Sequence, residues 1–307
     1  MISAERPANP DSKANPGWLP PEELARLNSL ELRARGVVEG FLQGLHPSPF
    51  VGYSVEFSAH RRYGPGDDLR HVNWKVFARQ RKLYVKEFDA ETNLNLYLLV
   101  DASCSMRCRV DGAMTKHDYA ATLAAALAWL AMKQRDAVAL GLMDDGITDY
   151  LDPSAKPGRW EECLKLLSRS QAQPVTALGK SLEQASALAR HRGIVAIFSD
   201  LVDDTAAIER GLVQLRHRGH EVVLFHLLDP CERHLTQKGR LRVTDLEGGA
   251  QLMTDAEGIR AAYLKRVDRW CAELADLCVH QGVDRIELTT DKPPAAVLFD
   301  YLVRRST

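Results

Sequence analysis

The sequence predicts a doubly wound α/β domain with a mostly parallel sheet over residues 93–307. Four apolar runs each end in an aspartate, at Asp101, Asp144, Asp200 and Asp229. Near-continuous apolar runs are typical of strands that are buried on both faces of a parallel sheet. Segments of helical length separate these runs, and such alternation is produced by right-handed βαβ crossovers.

The remaining elements of this domain follow from spacing and turn residues. The predicted helices between the strands cover residues 116–134, 160–168, 178–190 and 205–218. Residues 240–254 interrupt the alternation and predict an inserted β-hairpin that turns at Gly248–Gly249. A long helix over about residues 256–281, the strand VDRIELTT and a final helix around residues 295–304 complete the domain.

Two segments precede the α/β domain. Residues 1–17 are rich in Pro and Asn, which predicts a disordered tail. Residues 18–92 predict an N-terminal helix, with helical spacing over residues 21–43, followed by a small basic β-rich segment. Short β-like pieces there alternate with turn signals, the strongest of which is GPGDD at residues 64–68.

The composition excludes several classes of protein. The 307 residues include 40 Lys+Arg and 41 Asp+Glu, and this balance argues against a nucleic-acid-binding protein. Neither a signal peptide nor an apolar run long enough for a transmembrane segment is visible. The six cysteines form no C-x-x-C pair, which argues against structural zinc and favours free thiols in a cytoplasmic protein.

A set of oxygen-bearing side chains lies at the predicted strand ends. Asp101, Ser103 and Ser105 alternate after one strand, Asp200 closes another, and Thr176 precedes a predicted helix. Ligands gather at the carboxyl ends of parallel strands, and hard oxygen ligands suit Mg²⁺ (or Mn²⁺). Two neighbouring buried carboxylates would repel each other without a cation. The competing interpretation is that Asp, Ser and Thr at these positions only cap helices and turns.

This D-x-S-x-S…T…D order resembles the metal-ion-dependent adhesion site of von Willebrand A domains, which have a Rossmann-like fold. In that family two serines, a threonine and an aspartate hold the ion, and a carboxylate of the partner completes its coordination. The resemblance implies that the five residues named above form the site here. Two departures bear on metal affinity: Pro174-Val175 replace the usual Gly-Gly before the threonine, and Leu201 replaces the glycine after the last aspartate.

A longer stretch is similar to one bacterial family, the domain of unknown function fifty-eight. The stretch is YGPGDDLRHVNWKVFARQRKLYVKEFDAETNLNLYLLVDASCSM, and TDLEGGAQLMTD and LTTDKPPAAVLFDYL also resemble that family. Members typically accompany MoxR-type AAA+ ATPases and are thought to act with them in assembling or activating other proteins. The resemblance also marks five characteristic positions without assigning them a role, namely Gly66, Asp67, Arg70, Trp74 and Arg79.

Other constellations predict less. Gly179-Lys180-Ser181 resembles the end of a P-loop, but Pro174 stands where that motif requires glycine. Cys104 has no histidine motif beside it and is interpreted as an inert thiol. For the basic stretch 57–88, a solvated or intramolecular role is favoured over protein docking, and nucleic-acid binding ranks last.

Taken with the resemblance, these residues predict a metal-dependent protein-binding adaptor rather than an enzyme. The expected cofactor is Mg²⁺ (or Mn²⁺), and the expected partner is a MoxR-type AAA+ ATPase or a client that offers an acidic side chain. The alternative is a metal-dependent hydrolase or phosphatase that uses Asp101 and Asp200. For that alternative the sequence places no obvious general base.

Overall fold

The computed structural model describes residues 18–45, 60–62, 84–86, 94–169, 177–244 and 251–306. The tail predicted for residues 1–17 lies outside them. The chain divides into two compact units: residues 48–93 form one, and the described residues before and after that segment belong to the other.

In the unit of residues 48–93, two short strands are described. Strand β1, His60–Arg62, pairs antiparallel with β2, Tyr84–Lys86. Strand β2 lies inside the predicted β-like piece KLYVKEF. The turn at residues 64–68 and the five family-characteristic positions lie outside the described residues, so the role of the basic stretch stays open.

The larger unit contains a six-stranded sheet, and its parallel core confirms the predicted fold class. The strands are β3 (Asn95–Asp101), β4 (Ala137–Asp144), β5 (Gly146–Ser154), β6 (Gly193–Ser199), β7 (Glu221–Leu228) and β10 (Asp284–Thr289). Their order is β10-β7-β6-β3-β4-β5, and every neighbouring pair is parallel except β4 with β5.

Strand β5 was not predicted from the sequence. It returns antiparallel from β4 through Gly146, whose φ of 122° lies in the region that favours glycine. Most of β5 is only partly buried, because the strand forms the edge of the sheet. Its charged residues and Pro153 break the apolar pattern that identified the central strands, as is common in edge strands.

Helices cover both faces of this sheet. In chain order they are α1 (Pro21–Ala25), α2 (Leu30–Leu45), α3 (Lys116–Lys133), α4 (Arg159–Arg169), α5 (Leu178–Leu188), α6 (Thr205–His217), α7 (Pro230–His234), α8 (Ala256–Gln281) and α9 (Pro294–Ser306). Helices α2, α3, α4 and α9 bury apolar side chains on one face, and α5, α6 and α8 do so on the other. Alternate residues of β3 point to these two cores, with Leu98 in the first and Leu99 in the second.

The N-terminal helix is interrupted. The sequence predicts one helical segment over residues 21–43, whereas α1 ends at Ala25 and α2 begins at Leu30. Asn28 and Ser29 lie in the break, and both residue types form local hydrogen bonds that compete with a continuous helix. Helix α2 then packs against α3 and α9 through side chains that include Val38 and Phe41.

Two antiparallel strands occupy the segment predicted as a hairpin. Strand β8, Arg240–Thr244, pairs with β9, Gln251–Asp255, and the intervening turn lies outside the described residues. All six cysteines are free thiols. Over the part of the chain that the structure describes, every helix is too short or too polar to cross a membrane.

Candidate metal site

Two buried aspartates lie at the carboxyl edge of the sheet. Asp101 is the last residue of β3, and Asp200 directly follows the adjacent parallel strand β6. Each residue is 1% exposed. Burial, and after it the negative charge of Asp200, raise the pKa of Asp101 to about 6. The two predicted carboxylates are therefore close enough to repel each other.

The chain after β3 brings the two predicted serines together. Ala102 N–H still bonds to the Met143 carbonyl of β4, and a 3-10 turn begins at Ser105. The Ser103 N–H donates to Asp101 Oδ1 at 2.9 Å, which holds the loop against the carboxylate. The Ser103 and Ser105 hydroxyls are hydrogen-bonded to each other, with their oxygens 3.0 Å apart.

This pair of hydroxyls fits a small divalent cation. Mg²⁺ requires octahedral oxygen ligands at about 2.1 Å, so adjacent ligands lie about 3 Å apart. The Ser103–Ser105 separation of 3.0 Å matches that spacing. Ser103 is fully buried, and Ser105 is partly exposed. The donor set is one of hard oxygens, which favours Mg²⁺ or Mn²⁺ over thiophilic metals.

Ser199 is a site residue that the sequence analysis missed. Its hydroxyl donates to Asp101 Oδ2 at 2.6 Å and accepts from the Leu201 N–H at 3.0 Å. Ser199 thus links the β3 carboxylate to the loop after β6. A serine within an apolar strand gave no signal, because its partner lies 98 residues earlier in the chain.

Leu201 explains one departure from the adhesion-site pattern. Its φ of 58° places it in the left-handed region, where the resembled family has glycine. A non-glycine residue there costs roughly 1–2 kcal/mol. The Leu201 side chain is completely buried in the core that α5 and α6 cover, and this burial offsets the backbone cost. The loop therefore keeps the conformation that glycine would give.

Lys116 is the second residue that the sequence analysis missed. Its ammonium is 1% exposed and lies 2.7 Å from Asp200 Oδ2 and 2.6 Å from Glu232 Oε1. Burial alone would lower the pKa of Lys116, but the two carboxylates outweigh that effect and raise it. The lysine is therefore a cation at every physiological pH, and it is already in contact with one of the predicted metal ligands.

The predicted fifth ligand, Thr176, lies outside the described residues, as do Pro174 and Val175. The described chain resumes at Ala177, whose N–H bonds to the Asp144 carbonyl at the end of β4. Asp144 is thus on the same edge of the sheet. The participation of Thr176 stays a prediction.

Two histidines contact the main chain of the aspartates. His117 Nδ1 lies 3.2 Å from the Asp101 carbonyl, and His226 Nε2 lies 3.2 Å from the Asp200 carbonyl. Burial lowers the pKa of both rings, that of His226 to about 4. The two rings therefore contact the main chain at the ends of β3 and β6.

A second cluster of potential ligands lies next to His226. Within the described ranges, His226, Cys271 and Glu287 form a group whose ligand atoms all lie within 4.8 Å of one another. Arg285 Nη2 lies 2.7 Å from His226 Nδ1 and 2.9 Å from Glu287 Oε2. Its guanidinium already provides a positive charge in this cluster, so we interpret the group as a partly buried ion-pair network.

Comparison with known proteins places these features in a family. The model of the family "Protein of unknown function DUF58" matches residues 59–272. Over 291 residues the chain is 27% identical to "Uncharacterized protein Rv1480" of Mycobacterium tuberculosis, covering 93% of this chain and 90% of that protein. "Uncharacterized protein Mb1516" of Mycobacterium bovis gives the same values.

Two solved structures are similar at low identity. The conserved hypothetical protein BatB from Bacteroides thetaiotaomicron is 12% identical, with a TM-score of 0.44, covering 69% of this chain and 98% of that one. The SpRpn10 VWA domain is 11% identical, with a TM-score of 0.40, covering 67% and 94%.

Proposed function

The chain belongs to the family of proteins of unknown function DUF58, and we propose that it binds a partner protein through a divalent metal ion at the Asp101–Asp200 edge. The main support is the meeting of two buried carboxylates with two hydroxyls 3.0 Å apart. Lys116 compensates only part of the negative charge of Asp101, Asp200 and Glu232, so the remaining charge favours a divalent cation, and the hydroxyl separation is compatible with adjacent Mg²⁺ ligands.

The proposed ion is Mg²⁺ or Mn²⁺. Ser103 and Ser105 would hold it through their hydroxyls, with Asp101, Asp200 and Thr176 contributing directly or through water. When bound, the ion would accept a carboxylate from the partner. The protein's own residues orient this arrangement, because Ser199 and the Ser103 N–H fix the Asp101 carboxylate from two sides.

The proposed partner is a MoxR-type AAA+ ATPase or one of its clients, offering an Asp or Glu side chain. This choice comes from the family resemblance set out above. A carboxylate on a metal ion forms a strong and orienting contact, which suits an adaptor. The proposed compartment is the cytoplasm, where the six free thiols would remain reduced.

The same geometry gives little support to a hydrolase or phosphatase. Such an enzyme would need a general base directed at the metal-bound water or substrate. His117 and His226 instead contact main-chain carbonyls, and Lys116 is a cation held by two carboxylates. The adaptor is therefore the proposal that the described residues favour.

The test measures partner affinity with and without the ion. A purified MoxR-type ATPase from the same genome is titrated against the chain in Mg²⁺ and in chelator. We expect chelator and Asp101→Asn each to weaken binding at least tenfold. The matched control is Asp145→Asn, because Asp145 is an exposed acid one residue beyond β4.

Two outcomes would contradict this proposal. Partner affinity that is unchanged by both chelator and Asp101→Asn would exclude a metal-mediated contact. Mg²⁺-dependent turnover of a phosphoester that Asp101→Asn abolishes would favour the hydrolase instead.

A further inference from the structure

Lys116 occupies an unfavourable position that local helix preferences do not explain. It is the first residue of α3, directly after the N-cap Thr115, where the helix dipole disfavours a positive charge. Its side chain is nevertheless almost completely buried. Burial of an ammonium requires charge compensation, and Asp200 and Glu232 supply it from two other parts of the chain.

The ammonium leaves part of the Asp200 carboxylate available. Lys116 contacts Asp200 Oδ2, whereas among the described residues Oδ1 accepts only a long hydrogen bond, 3.4 Å from the Val202 N–H. An ion could therefore use Oδ1 while Lys116 keeps Oδ2. With Asp101 ionised, the three carboxylates of Asp101, Asp200 and Glu232 and the one ammonium sum to −2, a charge that one divalent cation neutralises.

We propose that Lys116 is a resident cation of the metal site, which keeps the edge folded when no ion is bound and weakens ion binding by repulsion. This inference rests on the proposed function. In the absence of the ion, the ammonium compensates Asp200 and Glu232. When the ion binds, the same charge opposes it, so the ion exchanges instead of becoming a permanent structural part.

Two substitutions are expected to change ion affinity in opposite directions. Lys116→Met removes a positive charge, so Mn²⁺ should bind about tenfold more tightly. Glu232→Gln removes a negative charge, so Mn²⁺ should bind several-fold more weakly. Gln still suits the capping box that Glu232 forms at the start of α7. If the pairs were only structural, both variants would weaken ion binding.

The experiment is a calorimetric titration of the full chain with Mn²⁺, together with thermal unfolding in chelator. Lys116→Met should lower the unfolding temperature in chelator, because two carboxylates lose their cation. Addition of Mn²⁺ should then raise the unfolding temperature of this variant by more than that of the wild type. The matched control is Lys180→Met, since Lys180 pairs with Asp145 at the surface and should change neither quantity.

Each result decides between the two levels of the proposal. Tighter binding by Lys116→Met with weaker binding by Glu232→Gln supports the resident cation. Weaker binding by both, with the wild type binding Mn²⁺, overturns this inference and leaves the proposed function intact. A wild-type chain that binds no Mn²⁺ overturns both. Should Lys116→Met fail to fold even in Mn²⁺, unchanged or tighter binding by Glu232→Gln overturns the inference by itself.

Discussion

Asp200 and Asp229 follow neighbouring parallel strands, β6 and β7, and both are buried, yet their surroundings differ. The Asp229 carboxylate accepts four main-chain N–H groups, three from the loop of residues 110–112 and one from Cys231. Within the described part of the chain, the Asp200 carboxylate contacts the Lys116 ammonium and, at 3.4 Å, the Val202 N–H. The same sequence signal, an apolar strand that ends in aspartate, thus leads to two environments.

The difference indicates what decides the role of a strand-end aspartate. Backbone donors outweigh burial at Asp229 and lower its pKa, so this carboxylate anchors a loop and caps α7. At the β3–β6 edge, burial and Asp200 raise the pKa of Asp101. A carboxylate saturated by N–H groups is structural, whereas a buried pair with few donors is suited to a cation.

The largest expected effect comes from neutralising each type of aspartate. In chelator, Asp229→Asn should lower the free energy of unfolding by about 2–4 kcal/mol, because charged hydrogen bonds to four N–H groups are weakened. Asp101→Asn should be neutral or stabilising, because it removes the repulsion with Asp200. Urea unfolding measures the free energy of unfolding of both variants. Equal losses of that free energy would show that the surroundings of Asp101 and Asp229 do not differ.

The pH dependence of stability should differ in sign between the two sites. The pKa of Asp101 is raised in the fold, so its contribution is fully present below about pH 4 and is lost as pH rises through about 6. The pKa of Asp229 is lowered, so its contribution is present above about pH 4 and is lost in more acidic solution. As the pH rises from 4 to 7 in chelator, the free energy of unfolding of Asp101→Asn should rise by about 1–3 kcal/mol relative to that of the wild type. A flat difference between the two proteins would contradict the raised pKa.

A smaller effect is expected from the hydroxyl that holds Asp101. Ser199→Ala removes a 2.6 Å hydrogen bond to a buried carboxylate and should cost about 1–2 kcal/mol of unfolding free energy. Ser186→Ala is the matched control, because Ser186 is 1% exposed and its hydroxyl has no hydrogen-bond partner among the residues that the structure describes. Denaturant unfolding measures both variants. If Ser186→Ala lost as much unfolding free energy as Ser199→Ala, the hydrogen bond to Asp101 would not explain the effect of Ser199.

The smallest effect concerns the loop after β6. Leu201 has a φ of 58°, and we expect the release of left-handed strain by glycine to outweigh the loss of the one buried methyl group that alanine keeps. We expect the free energy of unfolding of Leu201→Gly to exceed that of Leu201→Ala by about 1 kcal/mol. This order is the reverse of the usual one, in which alanine is the more stable variant. The opposite order would indicate that backbone strain at Leu201 is negligible.

Local patterns predicted the parallel sheet and three neighbouring members of the site. The apolar runs identified β3, β4, β6 and β7, and the alternation after Asp101 placed Ser103 and Ser105 beside it. The edge strand β5 was missed because its exposed positions carry polar residues, so it lacks the apolar run that identifies the buried strands. Lys116 could not be predicted, since its partners lie 84 and 116 residues further along the chain.

We propose that the Asp101–Asp200 edge holds one divalent cation. The most direct measurement counts bound Mn²⁺ by electron paramagnetic resonance in the wild type and in Asp101→Asn, with Asp145→Asn as control. We expect one ion for each wild-type and control chain, and none for Asp101→Asn at the same concentration. Equal binding by all three proteins, or no binding by the wild type, would contradict it.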